Sequence, residues 1–191
     1  MQYPNPVPHL SGWRQTLWLA LLVAACVGFS LGFACAMPFA ALGAAAALTL
    51  DRRDGLLLTG GGWLANQVVG FGVLNYPLDG ETFTWGLILG AVAILTTLSA
   101  QTVSRRLDLY RFPVIALASF LAAFAVYEGG LFAVSGTAMG GTEDFALAIM
   151  VRILEINAAA FLGLLALNRL AVAGGLIARP MLSAGAAHRV G

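Results

Sequence analysis

The sequence predicts an all-α fold: one integral membrane bundle of six transmembrane helices, with both termini in the cytoplasm. Three observations carry that expectation. Of the 191 residues, 60% are hydrophobic and only 10% are charged, with a mean hydropathy of +0.87. A domain that coats itself with water carries about 25% charged residues. The apolar residues fall into long runs divided by abrupt polar breaks, and the arginines segregate to alternate breaks.

The runs are 16–37, 38–50, 55–74, 83–103, 112–135 and 145–167, within a single membrane domain over 1–191. A hydrocarbon core of about 30 Å needs about 20 apolar residues in a helix. Helices are forced, because open strands leave backbone groups unpaired in lipid. The second run is short. It reads as a tilted or partly re-entrant helix, or as one that borrows residues on either side of Pro38. The breaks are Asp51-Arg52-Arg53-Asp54, Tyr76-Pro77-Leu78-Asp79-Gly80-Glu81, Arg105-Arg106-Leu107-Asp108 and Gly140-Gly141-Thr142-Glu143-Asp144.

With six crossings, Arg14, Arg52, Arg53, Arg105, Arg106, Arg111, Arg169, Arg179 and Arg189 lie on one side. The opposite loops hold Asp79, Glu81, Glu143 and Asp144 and no basic residue. The positive-inside rule makes the Arg side cytoplasmic. A multi-pass protein of the inner (cytoplasmic) membrane follows.

Several classes are excluded. A net charge of +1 with no basic cluster on one face argues against a nucleic-acid partner. Cys26 and Cys35 are about 13 Å apart along a helix, beyond the reach of a disulfide. Val23-Ala24-Ala25-Cys26 and Ala34-Cys35-Ala36 look like signal-processing sites, but the apolar run continues through both. There is no P-loop, no HExxH and no Cys/His metal set, and His9 and His188 are terminal. The expectation is a non-enzyme without metal or cofactor.

Ionisable residues inside spans are costly and are functional candidates. Glu128 in the fifth span and Arg152 and Glu155 in the sixth lie at similar depth. Arg152 and Glu155, three residues apart, share a helix face. A buried Arg152 flanked by Glu128 and Glu155 is the expected network, as a structural ion pair or as a polar site open to the outside. In the third span, Asn66 and Gln67 lie near mid-membrane, and Trp63, Asn66 and Gly70 share a face. These amides serve helix packing or ligand binding. Tyr76, Pro77 and Trp85 flank the outer loop as interface anchors or ligand contacts. The first span has small residues at Ala20, Ala24, Gly28, Gly32, Ala36 and Ala40, a close-packing surface for internal helices or a partner. The outer half sets Asp79, Glu81, Glu128, Glu143, Asp144 and Glu155 against Arg152 alone, which favours a cation or neutral polar solute.

Six helices, internal termini, outer polar groups and a first helix with small-xxx-small steps together resemble an S component. These are the substrate-binding subunits of energy-coupling-factor (ECF) vitamin transporters. Trp63-Leu64-Ala65-Asn66-Gln67, Gly70-Phe71-Gly72, Tyr76-Pro77 and Thr84-Trp85-Gly86 resemble the BtuM-like cobalamin branch. The resemblance implies uptake of a vitamin-like molecule, such as cobalamin or another corrinoid. It implies an outer pocket walled by the outer loops and the third to sixth helices, with Asn66, Gln67, Asn75, Tyr76, Trp85, Glu128, Arg152 and Glu155 as contacts. The first helix, through Ala20, Ala24, Gly28 and Gly32, would face a transmembrane coupling subunit driven by separate ATPases. Asn75 and Tyr76 stand where some BtuM-like members carry a cobalt-ligating cysteine. The rival readings are a helical scaffold held by an Arg–Glu network, and a membrane enzyme using Glu128 or Glu155 as acid and base.

Overall fold

A computed structural model describes residues 12–32, 37–136 and 145–175. Among these, the chain forms six α-helices: α1 (Gly12–Gly32), α2 (Phe39–Thr49), α3 (Arg52–Gly72), α4 (Gly80–Arg106), α5 (Phe112–Val134) and α6 (Leu147–Ala173). Of these, α4, α5 and α6 are long and apolar enough to cross a membrane. Cys35, Glu143, Asp144, His9, His188, Arg179 and Arg189 lie outside the described residues.

Local chemistry sets the helix ends. Asp51 caps α3 by accepting from the Asp54 N–H at 2.7 Å, and Asp79 caps α4 by accepting from the Thr82 N–H at 2.8 Å. Pro113 sits in the first turn of α5, where its missing N–H costs no helical bond. Gly175, at φ 70°, turns the chain away after α6.

The short helix α2 lies at the centre, packed against α3, α4, α5 and α6. Every residue from Phe39 to Ala46 is buried. An Ala- and Gly-rich helix can be enclosed on all sides because its neighbours approach to backbone distance. A Cβ added at Gly43 would lie 3.2 Å from the Thr97 Cα of α4, and one at Gly62 of α3 would lie 2.9 Å from the Leu42 side chain. Pro38 precedes α2 as its N-cap, so the helix does not continue across it. At 11 residues α2 rises about 16 Å, half of a hydrocarbon core.

Helix directions follow from the contacts. On α3 and α4, Thr59 bonds Thr97 at 2.7 Å while Trp63 bonds Gly86 at 2.7 Å, so the pair is antiparallel. On α4 and α5, Ser99 reaches the Ala122 carbonyl while Gly130 meets Val92, again antiparallel. Helix α2 runs parallel to α4, with Gly43 at Thr97 and Ala47 at Ser104. Helix α1 packs on α3 and α6, burying Trp18 and Leu22.

Enclosing a helix end creates a hydrogen-bonding debt, since the first N–H groups have no partner within the helix. Asn157 of α6, 3% exposed, meets it: its Oδ1 accepts from the Ala41 N–H at 3.1 Å, and its Nδ2 donates to the Ile153 carbonyl at 3.0 Å. At the other end of α2, the Thr49 hydroxyl donates to the Ala45 carbonyl at 2.7 Å. Asn157→Ala leaves the Ala41 N–H unpaired in an apolar interior. The expected loss is about 1–3 kcal/mol, read by thermal unfolding of the purified protein in detergent.

Candidate functional site

The bundle has two chemically distinct ends. At one, α3 turns into α4 through residues 73–79, with Asp79 and Glu81 at the turn. At the other, α2 turns into α3 and α4 into α5, bringing Arg52 and Arg105 to one cavity and Arg169 to its neighbour.

The α3–α4 end is built from aromatic packing. Tyr76 donates its N–H to the Gly70 carbonyl at 3.0 Å and lays its ring against Gly70, where a Cβ would lie 2.7 Å from it. Phe71 meets Tyr76 edge-on at 6.3 Å and stacks on Phe83 at 5.0 Å. Asn75 takes φ 54°, a left-handed conformation that asparagine tolerates, and donates from Nδ2 to the Val73 carbonyl at 3.3 Å. Asn66, Gln67 and Trp85 are half-buried, and the Gln67 carbonyl oxygen lies over Gly86, 2.7 Å from where a Cβ would be. Thus Asn75 and Tyr76 close the hairpin itself, while Gln67 is held between α3 and α4.

Glu128 lies deeper. Its neighbour Tyr127 packs its ring 6.2 Å from that of Phe39, the first residue of α2. Glu128 is 5% exposed, and its Oε1 has no hydrogen-bond partner among the described residues. Arg152 and Glu155, in contrast, are exposed on α6, and among the described residues no ion pair joins them to Glu128 or to each other. The expected buried network is therefore corrected. The physical reason is rotation: α5 and α6 both pack against α2, and α6 spends its inward face on Ile156, Asn157 and Ala160, which turns Arg152 and Glu155 outward. On α1, Ala20, Ala24 and Gly28 are exposed, and Gly28 has open space where a Cβ would stand. The surroundings of Gly32 and Cys26 lie outside the described ones.

Three further amides, Gln101, Asn157 and Asn168, are buried, and their polarity inside apolar runs was the one sign of them in the sequence. Asn157 caps α2, whereas Gln101 Oε1 and Asn168 Oδ1 have no partner among the described residues. Both line cavities of about 230 Å³ at the Arg-bearing end, which share Leu48 and Phe112. No group of His, Cys, Asp and Glu among the described residues could hold a metal ion.

Two outcomes follow from this geometry. Arg152→Ala should change thermal stability by no more than about 0.5 kcal/mol, since the residue removed is exposed and has no ion pair among the described residues. Asp79 has its carboxyl held below the ordinary value of 3.8, first by the Thr82 N–H and then by the Thr82 hydroxyl. A depressed folded-state value means that the cap is fully present above pH 3.8 and is lost as pH falls through the lower folded-state value. Protection of the Thr82 amide, its exchange rate taken relative to that of an unstructured amide at the same pH, should therefore fall on the acid side, and Asp79→Ala should lower that protection at every pH.

No family model, curated protein or solved structure matches the chain.

Proposed function

We propose that the chain is a substrate-binding subunit of a membrane importer, taking up a vitamin-like small molecule from the side opposite its arginines. The observation that carries this is the buried, unpartnered carboxylate oxygen of Glu128 at the depth where the central helix begins. A buried acceptor without a donor costs free energy in lipid, and a structural role would have been served by an apolar residue. A bound solute carrying a hydrogen-bond donor, neutral or cationic, removes that cost. Helix α2 itself rises only about 16 Å, half of a hydrocarbon core. Asn66, Gln67, Tyr76 and Trp85 wall the same end.

In this reading the chain crosses the inner membrane six times with both termini in the cytoplasm. The alternating helix directions and the gathering of Arg52, Arg105 and Arg169 at one end support it. The small, open face of α1 at Ala20, Ala24 and Gly28 suits a transmembrane coupling subunit with its own ATPases. The role is binding and delivery, without catalysis.

Mass spectrometry of small molecules that co-purify with the protein tests the reading. The wild type should carry one solute, and Glu128→Leu should fold and lose it, while Glu128→Gln, which keeps an acceptor, should retain part. An empty wild type with a more stable Glu128→Leu would instead favour a helical assembly protein. Topology is tested in parallel in a background without Cys26 and Cys35. In intact cells, Asp79→Cys should react with an impermeant thiol reagent and Leu107→Cys should not.

A further inference from the structure

The Arg-bearing end carries a second site, independent of the one above. Between α2, α4 and α5 lies a cavity of about 230 Å³. One wall is apolar, with Leu48, Leu50, Phe112 and Ile115. The other is polar, with Arg52, Gln101, Ser104, Arg105 and Asp108. Its position marks the membrane interface. It sits at the junction of α4 and α5, two helices of membrane-crossing length, beside Leu109, which is 93% exposed, and the exposed Tyr110. Apolar and aromatic side chains presented at a helix end belong at the headgroup level of a bilayer.

The chemistry of the polar wall is selective. Arg52 and Arg105 are exposed, and among the described residues neither forms an ion pair with Asp108. Two guanidiniums against one carboxylate leave one positive charge, which matches a phosphodiester monoanion. Arginine also binds phosphate oxygens through paired N–H groups. Gln101, 5% exposed, braces this wall: its Nε2 donates to the Arg52 carbonyl at 3.3 Å and so ties the start of α3 to α4 beside Arg105.

We infer that this cavity binds the headgroup of an anionic phospholipid, its phosphate on Arg52 and Arg105 and the first acyl carbons along Leu48 and Phe112. The glycerophosphate unit is a lipid's here because the apolar wall and the interfacial level suit the attached chains. A soluble glycerol phosphate would use the polar wall alone.

The test uses the full-length protein in detergent, with thermal stability followed during titration of phosphatidylglycerol, phosphatidic acid, phosphatidylcholine and free glycerol 3-phosphate. Phosphatidylglycerol and phosphatidic acid should raise the melting temperature at lower concentrations than phosphatidylcholine or free glycerol 3-phosphate. Arg52→Gln with Arg105→Gln should raise the concentration needed by about tenfold or more, as expected for two lost interfacial charges. Arg53→Gln with Arg106→Gln, which removes equal charge outside the cavity, should leave it unchanged. Equal stabilisation by phosphatidylcholine, or an equal loss in both arginine pairs, would overturn the site. Equal stabilisation by free glycerol 3-phosphate would overturn its lipid occupant.

Discussion

The complete enclosure of α2 is the constraint on which the rest of the molecule depends. A helix touched on every side by α3, α4, α5 and α6 can present only small or tightly fitted side chains, and the Ala- and Gly-rich stretch from Phe39 to Thr49 meets that demand. Hydrophobic burial does not discriminate between helices already dissolved in lipid, so close backbone approach and interhelical hydrogen bonds carry the association. Gly43 against Thr97 and Gly62 against Leu42 supply the first, while Asn157 and the Thr59–Thr97 pair supply the second.

That arrangement also orients the outer helices. Once α6 commits Asn157 to the N-terminal end of α2, the register and rotation of α6 are set, and Arg152 and Glu155 turn outward. Once α5 packs Tyr127 against Phe39, Glu128 follows it into the interior. The isolation of Glu128 is thus a consequence of how the centre is packed, and the same packing denies it the arginine that its depth would otherwise bring within reach.

The two ends serve different chemistry. The α3–α4 end is closed by aromatic rings and capped by Asp79, with acidic groups at the turn. At the Arg-bearing end, the turns after α2 and α4 leave cavities lined by buried amides and by Arg52, Arg105 and Arg169 around the shared residues Leu48 and Phe112. A polar ligand from outside and an anionic lipid from the inner leaflet would meet the same bundle without competing.

The sequence by itself determined the all-α class, the helices along each apolar run and the separation of acidic from basic turns. Those depend on composition, on run length and on Pro, Asp and Arg at the breaks, all of which act locally. It also marked the depth of Glu128, Arg152 and Glu155, because depth is residue number times helical rise. Only the tertiary structure decided which of them face inward. Rotation about a helix axis has no local signal in a lipid-facing chain, where every face is apolar and periodicity is weak. Tyr127 against Phe39 and Asn157 against Ala41 set that rotation, and each joins residues far apart in the chain. The same reason hid the roles of Gln101 and Asn168: an amide in an apolar run is visible, but whether it finds a partner or faces a cavity depends on neighbours contributed by other helices.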